Sequence, residues 1–108
     1  MIDRVLALLD AELGEELVGV WLYGSRARGE KPGPSSDIDL LVITRGGRER
    51  DFRRVSELAM DATEAEGLDP FRLSTRVADP DWIASRRDID SFFIREVDRD
   101  KVVLAGGA

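Results

Sequence analysis

The stretch Gly24-Ser25-Arg26-Ala27-Arg28-Gly29, followed by Ser36-Asp37-Ile38-Asp39-Leu40-Leu41-Val42-Ile43, places two carboxylates at the head of an otherwise apolar run. In an extended strand successive side chains alternate faces, so Asp37 and Asp39 point the same way, about 6.5 to 7 Å apart along the backbone. Two like charges on one half-buried face repel each other and raise at least one pKa. A divalent cation relieves that repulsion. The Gly-Ser turn upstream indicates what such a cation accompanies, the phosphates of a nucleotide. Gly24 has no side chain to keep a phosphate from the backbone, and Ser25 adds a hydroxyl and an N–H at the start of a helical turn. Asp37 and Asp39 are then the candidate metal ligands and catalytic acids, holding one or two Mg²⁺ ions that bridge phosphate oxygens. Gly24, Ser25 and Arg28 are the candidate nucleotide-binding residues, with Arg28 at the exposed end of the turn.

Upstream, Ile2, Val5, Leu6, Leu9 and Leu13 fall at helical spacing before Gly14, which predicts an opening amphipathic helix. Leu17 to Tyr23 reads as a largely apolar, central strand. Downstream of the loop Glu30 to Ser36, a second strand is predicted from Asp37 to Thr44, broken by Gly46-Gly47. From Arg48 to Glu66 the positions Phe52, Val55, Ala59, Ala62 and Ala65 recur at three- and four-residue steps, giving the longest helix. Its Arg48, Arg50, Arg53 and Arg54 read as a solvated face, interspersed with Glu49 and Asp51. A third strand is predicted over Pro70 to Val77, with Arg72, Ser74 and Arg76 on its polar face. Asp79-Pro80 predicts a capped helix start. A last helix is expected over Ile89 to Val97, a short edge strand over Lys101 to Leu104, and a frayed end at 105–108. The aromatic residues Trp21, Trp82, Phe92 and Phe93 are read as core. This order implies one α/β (α+β) domain over 1–104, a small mixed sheet of three to five strands with one layer of helices.

Composition narrows the chemistry. The 108 residues are 43% hydrophobic and 35% charged, as in ordinary soluble globular domains. The net charge of -6 and a pI near 4.7 argue against binding to bare nucleic acid or to anionic membranes, so any contact with a phosphate-rich ligand is local. With neither His nor Cys, the chain has no disulfide, no thiolate metal site and no imidazole base. Carboxylates, hydroxyls, Lys, Arg and metal ions remain, and they suffice for phosphoryl-type transfer, which depends mainly on positioning and electrostatics. The start Met1-Ile2-Asp3-Arg4 lacks a secretory signal and no run reaches the roughly 18 apolar residues that span a bilayer. A cytoplasmic protein is expected.

The Gly24-Ser25 turn, Arg26-Ala27-Arg28-Gly29, and Ser36-Asp37-Ile38-Asp39-Leu40 opening a strand resemble the signature of the DNA polymerase beta-like nucleotidyltransferases, specifically the minimal stand-alone nucleotidyltransferases (MNT). The segment from Ser91 to Leu104 also resembles the closing helix and strand of those proteins. The resemblance implies the nucleotidyltransferase fold. It implies Mg²⁺-dependent transfer of a nucleoside monophosphate, AMP by preference, from an NTP such as ATP to an acceptor hydroxyl. It further implies a partner: a helical HEPN-type protein, with the small domain acting as the antitoxin of a toxin-antitoxin system. Association of the chain with its own copies is left open.

Active members of the family usually carry a third carboxylate on the following strand. Here the only nearby acid is Asp69, and strand alternation points it away from the site unless a bulge at Pro70 redirects it. Arg72, on the other face, stays protonated and serves neither as base nor as ligand. Three routes remain: a redirected Asp69, an acid such as Glu30 or one from a partner chain, or weak transfer. The last keeps a second function in view, a catalytically impaired nucleotide- or protein-binding module that neutralises a helical partner by complex formation. In a third reading the acidic pair merely caps a strand.

Overall fold

The computed structural model describes residues 2–24, 27, 38–69 and 72–106. Helix α1, Ile2–Leu13, turns Val5, Leu9 and Leu13 inward at four-residue steps, and Gly14 ends it in the left-handed region at φ +52°. A 3₁₀ turn, Gly14–Glu16, leads into strand β1, Leu17–Tyr23. Strand β2, Ile38–Thr44, runs antiparallel to β1. Asp37, expected as its first residue, lies outside the described residues.

Helix α2, Gly47–Ala65, then crosses over to strand β3, Leu73–Ala78, which pairs with β2 in parallel. Parallel neighbours need such a crossover. The start of α2 is fastened from within the core. Buried Thr44 accepts the Gly47 N–H at 2.9 Å through Oγ1, and its hydroxyl donates to Asp51 Oδ2 at 2.7 Å. Helix α3, Pro80–Asp88, starts as the sequence predicts, with Asp79 Oδ1 accepting the Trp82 N–H at 2.6 Å and Pro80 in the first turn. Helix α4, Phe92–Asp100, and strand β4, Val102–Gly106, close the chain, with β4 antiparallel to β1. The sheet order is β3-β2-β1-β4.

The mixed sheet is covered on both faces rather than by one layer of helices. Val20, Leu40, Val42 and Val77 pack with Val5, Leu9, Val55 and Ala62 of α1 and α2. Trp21, Leu41, Ile43 and Ala78 pack with Ile83, Ile94 and Val97 of α3 and α4. The cause is visible in Leu40-Leu41-Val42-Ile43, where both alternating sets are apolar and each needs a cover.

Three boundaries differ from expectation. The strand expected from Pro70 begins at Leu73, after a turn in which the Arg72 N–H donates to the Asp69 carbonyl at 3.0 Å. The last helix begins at Phe92, not Ile89; Ile89 instead caps the C-terminus of α3 and is 65% exposed. That phase turns Phe93, Ile94 and Val97 inward and leaves Phe92 77% exposed, so Phe92 is not core. Finally, Ala105 and Gly106, read as part of a frayed tail, belong to β4 and pair with Val20 and Gly19. Gly106 suits that place because its φ is +73° and a Cβ would overlap the Val18 carbonyl oxygen.

Candidate active site

The end of β1 and the start of β2 meet at Gly24 and Asp39. Gly24 has φ +78°, and a Cβ built on it would lie 2.6 Å from Asp39 Oδ2. Two requirements therefore coincide at one residue, a left-handed backbone and room for a carboxylate. The Gly24 carbonyl also accepts the Ala27 N–H at 3.1 Å, which closes the turn leaving β1.

Strand register sets what stands beside Asp39. Tyr23 of β1 pairs with Asp39 across the antiparallel ladder, and Ser74 of β3 pairs with it across the parallel one. The three side chains stand abreast on the α3/α4 face. One step further along the same face come Trp21, Leu41 and Arg76. Asp39 and Tyr23 are half-buried, while Ser74 and Arg76 are exposed.

A small polar and aromatic cluster borders the acid. The Arg76 guanidinium carbon lies 4.8 Å from the centroid of the Phe93 ring, and Tyr23 meets Phe93 edge-on at 5.6 Å. Burial pushes the Tyr23 hydroxyl above its ordinary value. Arg76 opposes the rise by charge and by a hydrogen bond, and the charge of Asp39 adds to it. Beyond Arg76 a cavity of about 360 Å³ opens between the starts of α2 and α3, bordered by Leu41, Arg48, Glu49, Arg76, Asp79 and Trp82.

Of the residues predicted from sequence, Gly24 and Asp39 are thus brought together. Ser25, Arg28 and Asp37 lie outside the described residues, as does Glu30. Asp69 precedes β3 instead of lying in it, so strand alternation does not fix its direction. Among the described residues no three acidic side chains cluster as a metal site. The position on β3 beside Asp39 holds Ser74, with Arg76 next on that face. Tyr23 and Arg76 belong to no sequence motif, although their phase is readable: Tyr23 directly precedes the Gly24 turn, and Arg76 shares a face with Ser74. The basic cluster of α2 is largely spoken for by acids. Arg50 pairs with Glu16 and Asp51, Arg53 with Glu57, and Arg54 with Glu12.

A nucleotidyltransferase domain family model matches residues 3–103. The chain belongs to that family. The nucleotidyltransferase chain also shares its fold with solved toxin-antitoxin structures. One, a toxin-antitoxin with AMP-PNP, superimposes with a TM-score of 0.63 at 21% identity, covering 97% of this chain and 73% of the other. Another, tri-AMPylated Shewanella oneidensis HEPN toxin in complex with MNT antitoxin, gives a TM-score of 0.57 at 19% identity, with 97% and 69% covered. Comparison with curated protein sequences finds no match. Among the described residues no helix is long and apolar enough to cross a membrane.

Proposed function

We propose that this nucleotidyltransferase moves AMP from ATP to a hydroxyl on a helical HEPN-type partner protein in the cytoplasm, as the antitoxin of such a pair. The observation that carries the reading is the Gly24–Asp39 corner, where a left-handed glycine is held against a carboxylate at the mouth of the sheet. Gly24 and Ser25 hold the triphosphate, Arg28 contacts it, and Asp37 and Asp39 are the metal ligands. The donor set fits Mg²⁺, since Asp39 and its neighbour Ser74 offer only hard oxygen atoms. When bound, Mg²⁺ neutralises charge on the phosphate oxygens. The acceptor oxygen forms a bond to the α-phosphorus while the bond from that phosphorus to the bridging oxygen breaks. Pyrophosphate departs with the electron pair, and the hydroxyl proton passes to water. The likeness to an MNT antitoxin bound to an AMPylated HEPN toxin supports the choice of AMP and of partner.

Incubation with α-labelled ATP, Mg²⁺ and the helical partner tests this. Label is expected on the partner and is expected to vanish in the Asp37→Asn, Asp39→Asn double variant. Ser74 in place of an acid favours one rival, a binding module that neutralises its partner by covering it. Equal neutralisation by the double variant would establish that rival and remove catalysis from the account.

A further inference from the structure

Arginines elsewhere in the chain are answered by acids: Arg50, Arg54, Arg87 and Arg99 each stand within ion-pair distance of a carboxylate. Among the described residues no carboxylate stands that close to the exposed Arg76. Its contacts are of another kind. The guanidinium lies over the face of the Phe93 ring and acts on the Tyr23 hydroxyl by charge and by a hydrogen bond, while Tyr23 meets the same ring edge-on.

Those contacts fix where the cation is. In the order β3-β2-β1, Arg76 and Tyr23 are rooted two strand spacings apart, roughly 10 Å. The two side chains therefore meet above β2, the strand that carries Asp39. Register places them along the strand as well. Tyr23 is level with Asp39, Arg76 is level with Leu41 two residues further into the sheet, and Gly24 lies one residue the other way. The guanidinium thus flanks Asp39 on its inner side and the Gly24 turn flanks it on the outer side. The Tyr23 hydroxyl feels the charges of Arg76 and Asp39 together, so acid and cation share one small space.

Position then selects the ligand group. With the triphosphate tail at the Gly24 turn and a metal-binding carboxylate beside it, the phosphorus that reacts lies at Asp39. A cation on the side of Asp39 away from the tail borders the α-phosphate, not the β- and γ-phosphates. Guanidinium suits that group, because its planar N–H donors match two phosphate oxygens and those oxygens carry the charge of the transition state.

We infer that Arg76 grips the non-bridging oxygens of the α-phosphate, and that Tyr23 and Phe93 are positioning residues that hold its guanidinium over β2 beside Asp39. The inference rests on the nucleotidyltransferase reading and deepens it, because it adds a phosphate contact from β3. Arg76 takes no proton and forms no covalent bond. The acceptor oxygen still joins the α-phosphorus, pyrophosphate still leaves with the electron pair, and the hydroxyl proton still passes to water. The N–H groups hold the two oxygens that stay on that phosphorus throughout.

Nuclear magnetic resonance of the ¹⁵N-labelled chain tests it, with the Arg76 Nε–H signal assigned from Arg76→Gln. AMP-PNP with Mg²⁺ is expected to move that signal, whereas tripolyphosphate with Mg²⁺, which moves the Gly24 amide, and adenosine are expected to leave it still. In calorimetry Arg76→Gln is expected to weaken AMP-PNP about tenfold and tripolyphosphate less than about twofold. Tyr23→Phe and Phe93→Leu are each expected to weaken AMP-PNP about threefold with the same selectivity. Arg53→Gln, exposed on α2, is expected to change neither ligand. An Arg76 signal moved by tripolyphosphate would make it a tail contact, and one moved by adenosine a nucleobase contact; either overturns the inference. So does equal weakening of both ligands in the Tyr23 and Phe93 variants, which is what a merely structural role produces. If AMP-PNP moved the Gly24 and Asp39 amides but not Arg76, the inference alone would fall; if it moved none of them, the nucleotide reading itself would fail.

Discussion

Gly24→Ala probes the corner on which the functional reading stands. Alanine at φ +78° costs about 1–2 kcal/mol, because its Cβ approaches the following carbonyl. The same Cβ lies 2.6 Å from Asp39 Oδ2, and ordinary contact begins at 3.4 Å, so the carboxylate must move by about 0.8 Å. Turning Asp39 off its preferred rotamer adds about 0.5–1.5 kcal/mol. The single variant is thus expected to lose about 1.5–3.5 kcal/mol in all. In an Asp39→Ala background the second contribution disappears, and the same glycine substitution is expected to cost only about 1–2 kcal/mol. Urea unfolding of the four proteins of this cycle, followed by the fluorescence of buried Trp21, measures the difference. An identical cost in both backgrounds would show that Gly24 serves only the backbone. It would also refute the argument that the glycine makes room for the carboxylate.

The remaining predictions concern the scaffold. Thr44→Val leaves the buried Asp51 without the Thr44 hydroxyl and the Gly47 N–H without its acceptor, and is expected to cost about 1–3 kcal/mol by urea unfolding. Asp79→Ala removes the cap of α3 and is expected to cost about 0.5–2 kcal/mol, whereas Phe92→Ser, at an exposed position, should stay within about 0.5 kcal/mol of the parent. Arg50 and Thr44 hold the Asp51 carboxyl below the ordinary carboxylate range, and Arg87 and Lys101 do the same for Asp98. A depressed folded pKa stabilises the protein above the unfolded value and loses that contribution as pH falls through the folded one. The urea midpoint is therefore expected to hold above about pH 5 and to decline below about pH 4, less steeply in Asp51→Asn.

Most of the scaffold is legible in local chemistry. Four-residue apolar steps mark α1 and α2, Asp79-Pro80 marks the start of α3, and the apolar runs before Gly24 and after Asp39 mark the central strands. The misplacements share a cause, in that they depend on partners distant in sequence. The phase of α4 is decided by how Phe93, Ile94 and Val97 meet Trp21 and Leu41. Gly106 reads as part of a frayed end until its left-handed backbone is seen against Val18 on the neighbouring strand. At the site the sequence motif indicates why a phosphate favours Gly24, but not that Asp39 demands the glycine first. That second reason appears only when β1 and β2 are set in register.

The same register changes the question of the third carboxylate. Alternation extended back to Asp69 assumes a strand that has already begun, and β3 begins at Leu73. The residue that the parallel ladder sets beside Asp39 is Ser74, a hydroxyl that accepts a hydrogen bond but takes no proton at neutral pH. Next on that face, the Arg76 guanidinium is held by Phe93 and by the Tyr23 hydroxyl. A fixed cation there draws anions toward the β3 side of the site. A base placed there would instead draw the acceptor's proton. Under the transfer proposed above, such a site depends on an acceptor hydroxyl that is already well placed, because no carboxylate beside Asp39 on β3 takes its proton. On that proposal, placement of the acceptor counts for more at this site than proton abstraction does.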